Sequence, residues 1–338
     1  MMRAAWYERM GKPAEVITIG ELPIPAPQAN QVLVRIMASG ANPHDTKSRS
    51  GWSGRAMPAA RVIPHADGAG WIERVGPGVA AERVGERVWV FRADAARPGG
   101  GTAAQYAAVN AAHAVPLPND LDFVTGAGLG VPAITAHTAV LRDGPVSGQT
   151  VLVHGGAGAV GQYAIQFARW SGARVFASAS TPAKRVVAEA CGADAVFDYR
   201  SPDFAKQVLE MTEGRGVDRI VEVDFGANLE TGLKVIAMNG IIASYSSTRV
   251  RKPVVDYYAL ATKGITLHVV QGRHLSEDRR AHAVRDISAL LWRQQLRHPE
   301  PVVFPIEQTA AAHELLENGS DGKKVIIALA EDAAALAA

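Results

Sequence analysis

The stretch "VLVHGGAGAVGQYAIQFARW", residues 151–170, sets Gly156, Gly158 and Gly161 in the spacing G-x-G-x-x-G. A β-branched run precedes the glycines. Val160, Tyr163, Ala164, Phe167 and Ala168 follow at the spacing of one helical face. Strand, glycine turn and helix in that order make a cradle for a pyrophosphate. Gly156 would form the tight turn, Gly158 would let the backbone approach the anion, and Gly161 would let the helix pack close to the sheet. Free N–H groups at the helix N-terminus would then face the phosphates. The expected dinucleotide contacts are therefore Gly156, Ala157, Gly158, Ala159, Val160 and Gly161. The competing reading is a tight turn that holds no ligand.

The end of the next strand separates NAD from NADP. An NAD site sets a carboxylate there, about 20 residues on, to bond the ribose 2′-hydroxyl. Here the strand reads "ARVFASASTPAKR" and ends in Ser178 and Ser180, followed by Lys184 and Arg185, with no Asp or Glu. Small hydroxyls beside a cation suit a 2′-phosphate. Alternatively, the serines cap the next helix and the lysine is solvated.

From about residue 123 onward, strands alternate with helices. Strands are expected at 151–153, 174–178, 195–197, 219–223, 241–244 and 266–270. Thr181-Pro182 and Ser201-Pro202 each read as a helix N-cap followed by proline. An amphipathic helix is expected over 278–296. The pattern implies an α/β fold with a doubly wound parallel sheet. Before residue 123, "QVLVRIMASG" (31–40), "AGWIERVG" (69–76) and "GERVWVF" (85–91) read as short strands of a small barrel or coiled sheet. "PVVFPIE" and "KKVIIAL" return to strands near the end, and residues 331–338 are expected to fray.

Composition narrows the class. With 338 residues, two domains are expected, and 48% hydrophobic with 20% charged residues is ordinary for a globular protein. A net charge of +2 gives no general pull toward nucleic acid. No apolar run approaches a membrane span, the start carries no secretory pattern, and a cytoplasmic location is the expectation. The lone Cys191 makes neither an internal disulfide nor a four-cysteine zinc lobe.

With these segments in view, the chain resembles the medium-chain dehydrogenase/reductase superfamily, and most of all its zinc-free, zeta-crystallin-like quinone oxidoreductase branch. The likeness is carried by "ASGANPHDTKSRSG" (38–51), "PHADGAGWIERVGPGV" (64–79), "GVPAITAHTAV" (130–140), the glycine loop and "GADAVFDYRSPDF" (192–204). It implies a GroES-like substrate and catalytic β domain over residues 1–122 and 300–338, and a Rossmann NADP-binding domain over 123–299, with the active site in the cleft between them. It also implies that Lys184 and Tyr199 hold the NADPH 2′-phosphate, that Thr135 lies near the nicotinamide, and that Ser246 passes the cofactor after the fifth strand. "GITLHVV" (264–270) resembles an edge strand that pairs across a homodimer axis.

Zinc-dependent relatives would require a cysteine where this chain has Asn42 and a histidine where it has Ala66, so no metal is expected there. Without a Lewis acid, the chemistry favours an acceptor that takes hydride readily. A quinone is the leading substrate, and an α,β-unsaturated carbonyl is the alternative. Asn42 would either donate to the developing oxyanion or hold the 38–51 loop. Trp52 would either stack on a flat acceptor or pack over the cleft mouth. A further alternative, from a different class, is an NADPH-binding protein with little turnover.

Overall fold

A computed structural model describes residues 1–52 and 54–329. The chain divides into two compact units. One is Met1–Val131 together with the chain from Pro299 onward, and the other is Pro132–His298. The expectation for residues 331–338 lies outside the described residues.

The second unit is a six-stranded parallel sheet. Its elements, in chain order, are α1 (Gly130–Leu141), β1 (Thr150–Val153), α2 (Ala159–Trp170), β2 (Arg174–Ser178), α3 (Pro182–Ala190), β3 (Ala195–Phe197), α4 (Phe204–Met211), β4 (Val217–Glu222), α5 (Phe225–Val235), β5 (Ile236–Ser244), α6 (Tyr257–Lys263), β6 (Thr266–Val269) and α7 (Glu277–Trp292). The strands lie in the order β3-β2-β1-β4-β5-β6, the doubly wound order of a dinucleotide fold. Strands covered on both faces must be apolar throughout, and all four residues of β1 are buried. Phe176, Phe204, Val208, Ile220 and Ile242 form much of the core, each burial stabilising by roughly 1.5–3 kcal/mol. β6 is the outer strand, and Leu267 and Val269 on it are exposed.

Thr181 caps α3 as expected, accepting from the Lys184 N–H, with Pro182 in the first turn. The helix expected at Ser201-Pro202 starts later, at Phe204. Ser201 instead closes a turn, its hydroxyl accepting from the Asp203 N–H at 3.2 Å. Hydroxyl capping of a turn and of a helix look alike in sequence.

The first unit is built on the long strand Gln31–Gly40. It pairs antiparallel with Asp67–Val75, Tyr106–Asn110 and Lys324–Ala328, so the C-terminal segment completes this sheet. Register shifts between Leu33 and Val34 and between Ile36 and Ala38 bend the strand and coil the sheet around Val32, Val34, Ile36, Val88, Val109 and Ile327. No helix among the described residues is long and apolar enough to cross a membrane.

Candidate functional site

The turn between β1 and α2 has the geometry of a phosphate cradle, with one change in the roles expected of its glycines. The left-handed residue of the turn is Gly155, at φ +66°, one position before the G-x-G-x-x-G run. Gly156 serves close packing, since a Cβ there would lie 2.8 Å from the Ala177 Cβ. Gly161 brings helix against turn: its Cβ would stand 2.2 Å from the Gly155 carbonyl oxygen. Gly158 is the N-cap and offers no side chain to the first turn of α2, which leaves the amides of Ala159, Val160 and Gly161 outside the helix's own hydrogen-bond ladder. These donors, at the positive end of the helix dipole, fit a pyrophosphate.

Beneath the loop runs a buried chain of polar groups. The Ser178 hydroxyl lies 3.0 Å from His154 Nδ1 and accepts from the Gly155 N–H at 3.2 Å. His154 Nε2 stands 3.7 Å from Glu222 Oε2, and burial holds its imidazole below the usual range. Glu222 in turn accepts from the Asp224 N–H and the Asn228 amide. Ser178, expected as a direct cofactor contact, is therefore turned inward and supports the loop; it is 1% exposed.

These contacts separate two glycine substitutions. Gly161→Ala drives a Cβ into backbone that cannot yield, and should cost about 1–3 kcal/mol of stability together with nucleotide binding. Gly158→Ala meets only the Gly155 oxygen, at 3.3 Å, and should melt as the parent does while losing nucleotide affinity. Thermal melts paired with nucleotide titrations check both, and equal melting of the two variants would remove the distinction.

At the ends of β2 and β3 the groups form an electropositive corner. Ser180 follows β2 and Tyr199 follows β3, Lys184 lies in the first turn of α3, and Arg200, which sequence patterns alone do not single out, ties the two strand ends together. Arg200 donates to the Ser180 carbonyl and grips Asp198 through Nε and a terminal nitrogen at 3.0 and 2.9 Å. That grip holds the Asp198 carboxyl down at about 2. The first turn of α3 carries no acidic residue, and Lys184 and Arg185 lie within its first four positions. Cations at a helix N-terminus oppose its dipole, so this arrangement suits an anion supplied from outside. Arg249, on the segment after β5, is held by Asp224 at 2.7 Å. Ser246 lies on that segment, its hydroxyl 3.0 Å from Thr248 Oγ1. Thr135 is buried on α1, with Gly272 close enough that a Cβ there would stand 3.5 Å from the threonine oxygen.

The other two expected site residues lie in the first unit. Asn42 is 3% exposed and caps the helix Pro43–Arg49 through a capping box with Asp45. Its amide nitrogen donates to Asp67 Oδ2 at 2.8 Å and to the Gly40 carbonyl at 3.4 Å. Its amide oxygen accepts from Lys324 Nζ at 2.7 Å. Both ends of the side chain are thus engaged in holding the loop, the second of the two roles expected for it. Asp67 Oδ2 also accepts from the Val131 N–H, while Asp67 Oδ1 is buried with no hydrogen-bond partner among the described residues. Burial raises the Asp45 carboxyl to about 7 and the Asp67 carboxyl to about 6, and the Lys324 ammonium opposes both shifts. Trp52 is half-buried, with the Lys47 ammonium 4.7 Å from its ring centroid.

This geometry agrees with what the chain is similar to. Residues 28–119 match the alcohol dehydrogenase GroES-like domain, and residues 159–289 match the zinc-binding dehydrogenase family. The quinone oxidoreductase of Lama guanicoe is 32% identical over 337 residues, spanning 97% of this chain and 98% of that protein. The chain belongs to the quinone-oxidoreductase-like branch of the medium-chain dehydrogenase/reductase superfamily. Its fold is a GroES-like domain with a Rossmann-type parallel sheet. A mycobacterial protein solved in complex with NADPH matches at a TM-score of 0.84 and 26% identity, covering 97% of this chain and all of the other. An NAD-dependent alcohol dehydrogenase matches at 0.87 and 28%, covering 97% of this chain and 99% of the other.

One matching family is described as zinc-binding, yet Asn42, His65 and Ala66 do not make a zinc ligand set. Asn42 is engaged as above, and Ala66 has no donor atom. His65 lies before its strand at φ +75°, its Nδ1 2.8 Å from Ser39 and its Nε2 2.9 Å from His313.

Proposed function

We propose that this chain is an NADPH-dependent quinone reductase that needs no metal for the hydride step. The observation that carries the nucleotide assignment is the junction of the second and third strands, where Arg200 donates to the Ser180 carbonyl and neutralises the Asp198 carboxylate. The quinone is supported by relatives bearing that activity in their names along nearly the whole chain. NADPH, when bound, supplies the hydride. The chain's own groups do the rest. The amides opening α2 hold the pyrophosphate, Lys184 and Arg200 hold the 2′-phosphate, and Thr135 orients the nicotinamide. Trp52 packs a flat acceptor. A homodimer formed through β6 and a cytoplasmic location complete the proposal.

Initial rates of NADPH oxidation, measured in chelator with quinones and alkenals side by side, test it. Quinones should turn over faster, and NADPH should outrun NADH. Faster alkenal turnover moves the chain to double-bond reduction. Bound NADPH without turnover of either panel overturns the reductase reading.

A further inference from the structure

Away from the nucleotide corner, three metal-ligating side chains converge within the second unit. His282 and Asp286 stand one turn apart on α7 and so share a face. His137 reaches them from α1. Asp286 Oδ2 lies 2.8 Å from His137 Nε2 and 3.2 Å from His282 Nε2, and the three donor atoms all fall within 4.8 Å of one another. The two imidazole rings stand 5.4 Å apart at 75°. Phe167 meets the His137 ring edge-on at 5.6 Å and fixes its plane.

We propose that His137, His282 and Asp286 form a zinc site that pins α7 to α1. Two imidazoles and a carboxylate are a zinc donor set. A tetrahedral ion with bonds of about 2.0–2.1 Å needs its donors roughly 3.3 Å apart. The separations of 2.8 and 3.2 Å fall a few tenths of an ångström short of that need. Both rings direct Nε2 at one carboxylate oxygen, so zinc bound among the three atoms would displace the protons they share. The His137 side is buried and preset, while the His282 side is exposed and leaves the fourth position to water. The helix bearing these ligands is the amphipathic segment that the nucleotide site leaves unused. The proposal rests on no residue of the reductase site.

The test uses the full chain without an affinity tag, stripped with chelator and exchanged into chelator-free buffer. Titration with zinc chloride in the calorimeter should show one ion per chain, and one equivalent should raise the melting temperature. His282→Ala removes an exposed ring, so the fold should survive. It should weaken zinc binding about 100-fold and abolish the thermal shift, and Asp286→Asn should weaken binding at least about tenfold. NADPH affinity should stay at the parent value in both variants. Cobalt(II) in place of zinc should give the visible absorption of a tetrahedral ion, lost in His282→Ala. Zinc binding that is absent, or unchanged in His282→Ala, overturns the site and leaves the three groups as a hydrogen-bonded clamp.

Discussion

Lys324→Met should lower the thermal midpoint by about 10 °C at pH 8, and the deficit should shrink as the pH falls toward 5. Lys324 is 4% exposed, on a strand that is otherwise apolar. Its ammonium donates to the Ala41 carbonyl at 3.0 Å and to Asn42 Oδ1 at 2.7 Å, and stands 4.0 Å from Asp67 Oδ2. Methionine fills the space and removes the charge. Asn42 then loses its acceptor role, and two buried carboxylates lose their cation. Breaking a buried pair from one side costs about 3–5 kcal/mol.

The pH dependence follows from the raised carboxyls. Asp45 and Asp67 sit at about 7 and about 6 in the folded chain, above their ordinary value of 3.8. The native state therefore binds more protons than the unfolded state across that interval. Its advantage is full below the ordinary carboxylate range and is lost as the pH rises through 6 and 7. Lys324 lowers both groups, so its loss raises them further and moves the penalty to higher pH. Adding Asp67→Asn to Lys324→Met should recover part of the loss, because no lone buried charge then remains at that pair. Melts of the single and double variants from pH 5 to 8 check this. A deficit that does not change with pH would show that buried charge is not its source.

This cluster marks the limit of what the sequence shows. Asn42 was legible as a residue in a loop, and its two roles could not be told apart. The deciding partners, Asp67 and Lys324, stand 25 and 282 residues away. A lysine inside "KKVIIAL" was the available signal, because a buried ammonium demands partners. The second unit was easier to read, because β1, α2 and the glycine loop are contiguous and their periodicity is local. Even there, "HGGAGAVG" concealed that Gly155 makes the turn, since a backbone dihedral leaves no trace in a run of glycines. Ser178 was expected to face the ribose and instead faces His154. Arg200 is not legible in sequence, because it lies beyond the third strand and its link to Ser180 depends on the pairing of β2 with β3.

Lys184→Ala should weaken NADPH binding about 10- to 100-fold and leave NADH binding near the parent value. A charge-assisted hydrogen bond to a phosphate is worth about 1.5–3 kcal/mol, and NADH has no phosphate at that position. Lys184 lies in the first turn of α3, close in sequence to the end of the second strand. Partial exposure and salt screening favour the lower end of the range, and the discrimination should fall as ionic strength rises. Arg200→Ala should cost at least as much for a different reason. It deletes one cation and also frees the Asp198 carboxylate, now gripped at 3.0 and 2.9 Å, to repel the incoming dianion. Asp198→Asn placed on Arg200→Ala should therefore restore part of the NADPH affinity, which simple loss of a cation would not allow. Fluorescence titration of NADPH and NADH against the four chains separates these terms. If Lys184→Ala weakens both nucleotides equally, the 2′-phosphate lies elsewhere and the corner serves only to hold α3 against the sheet.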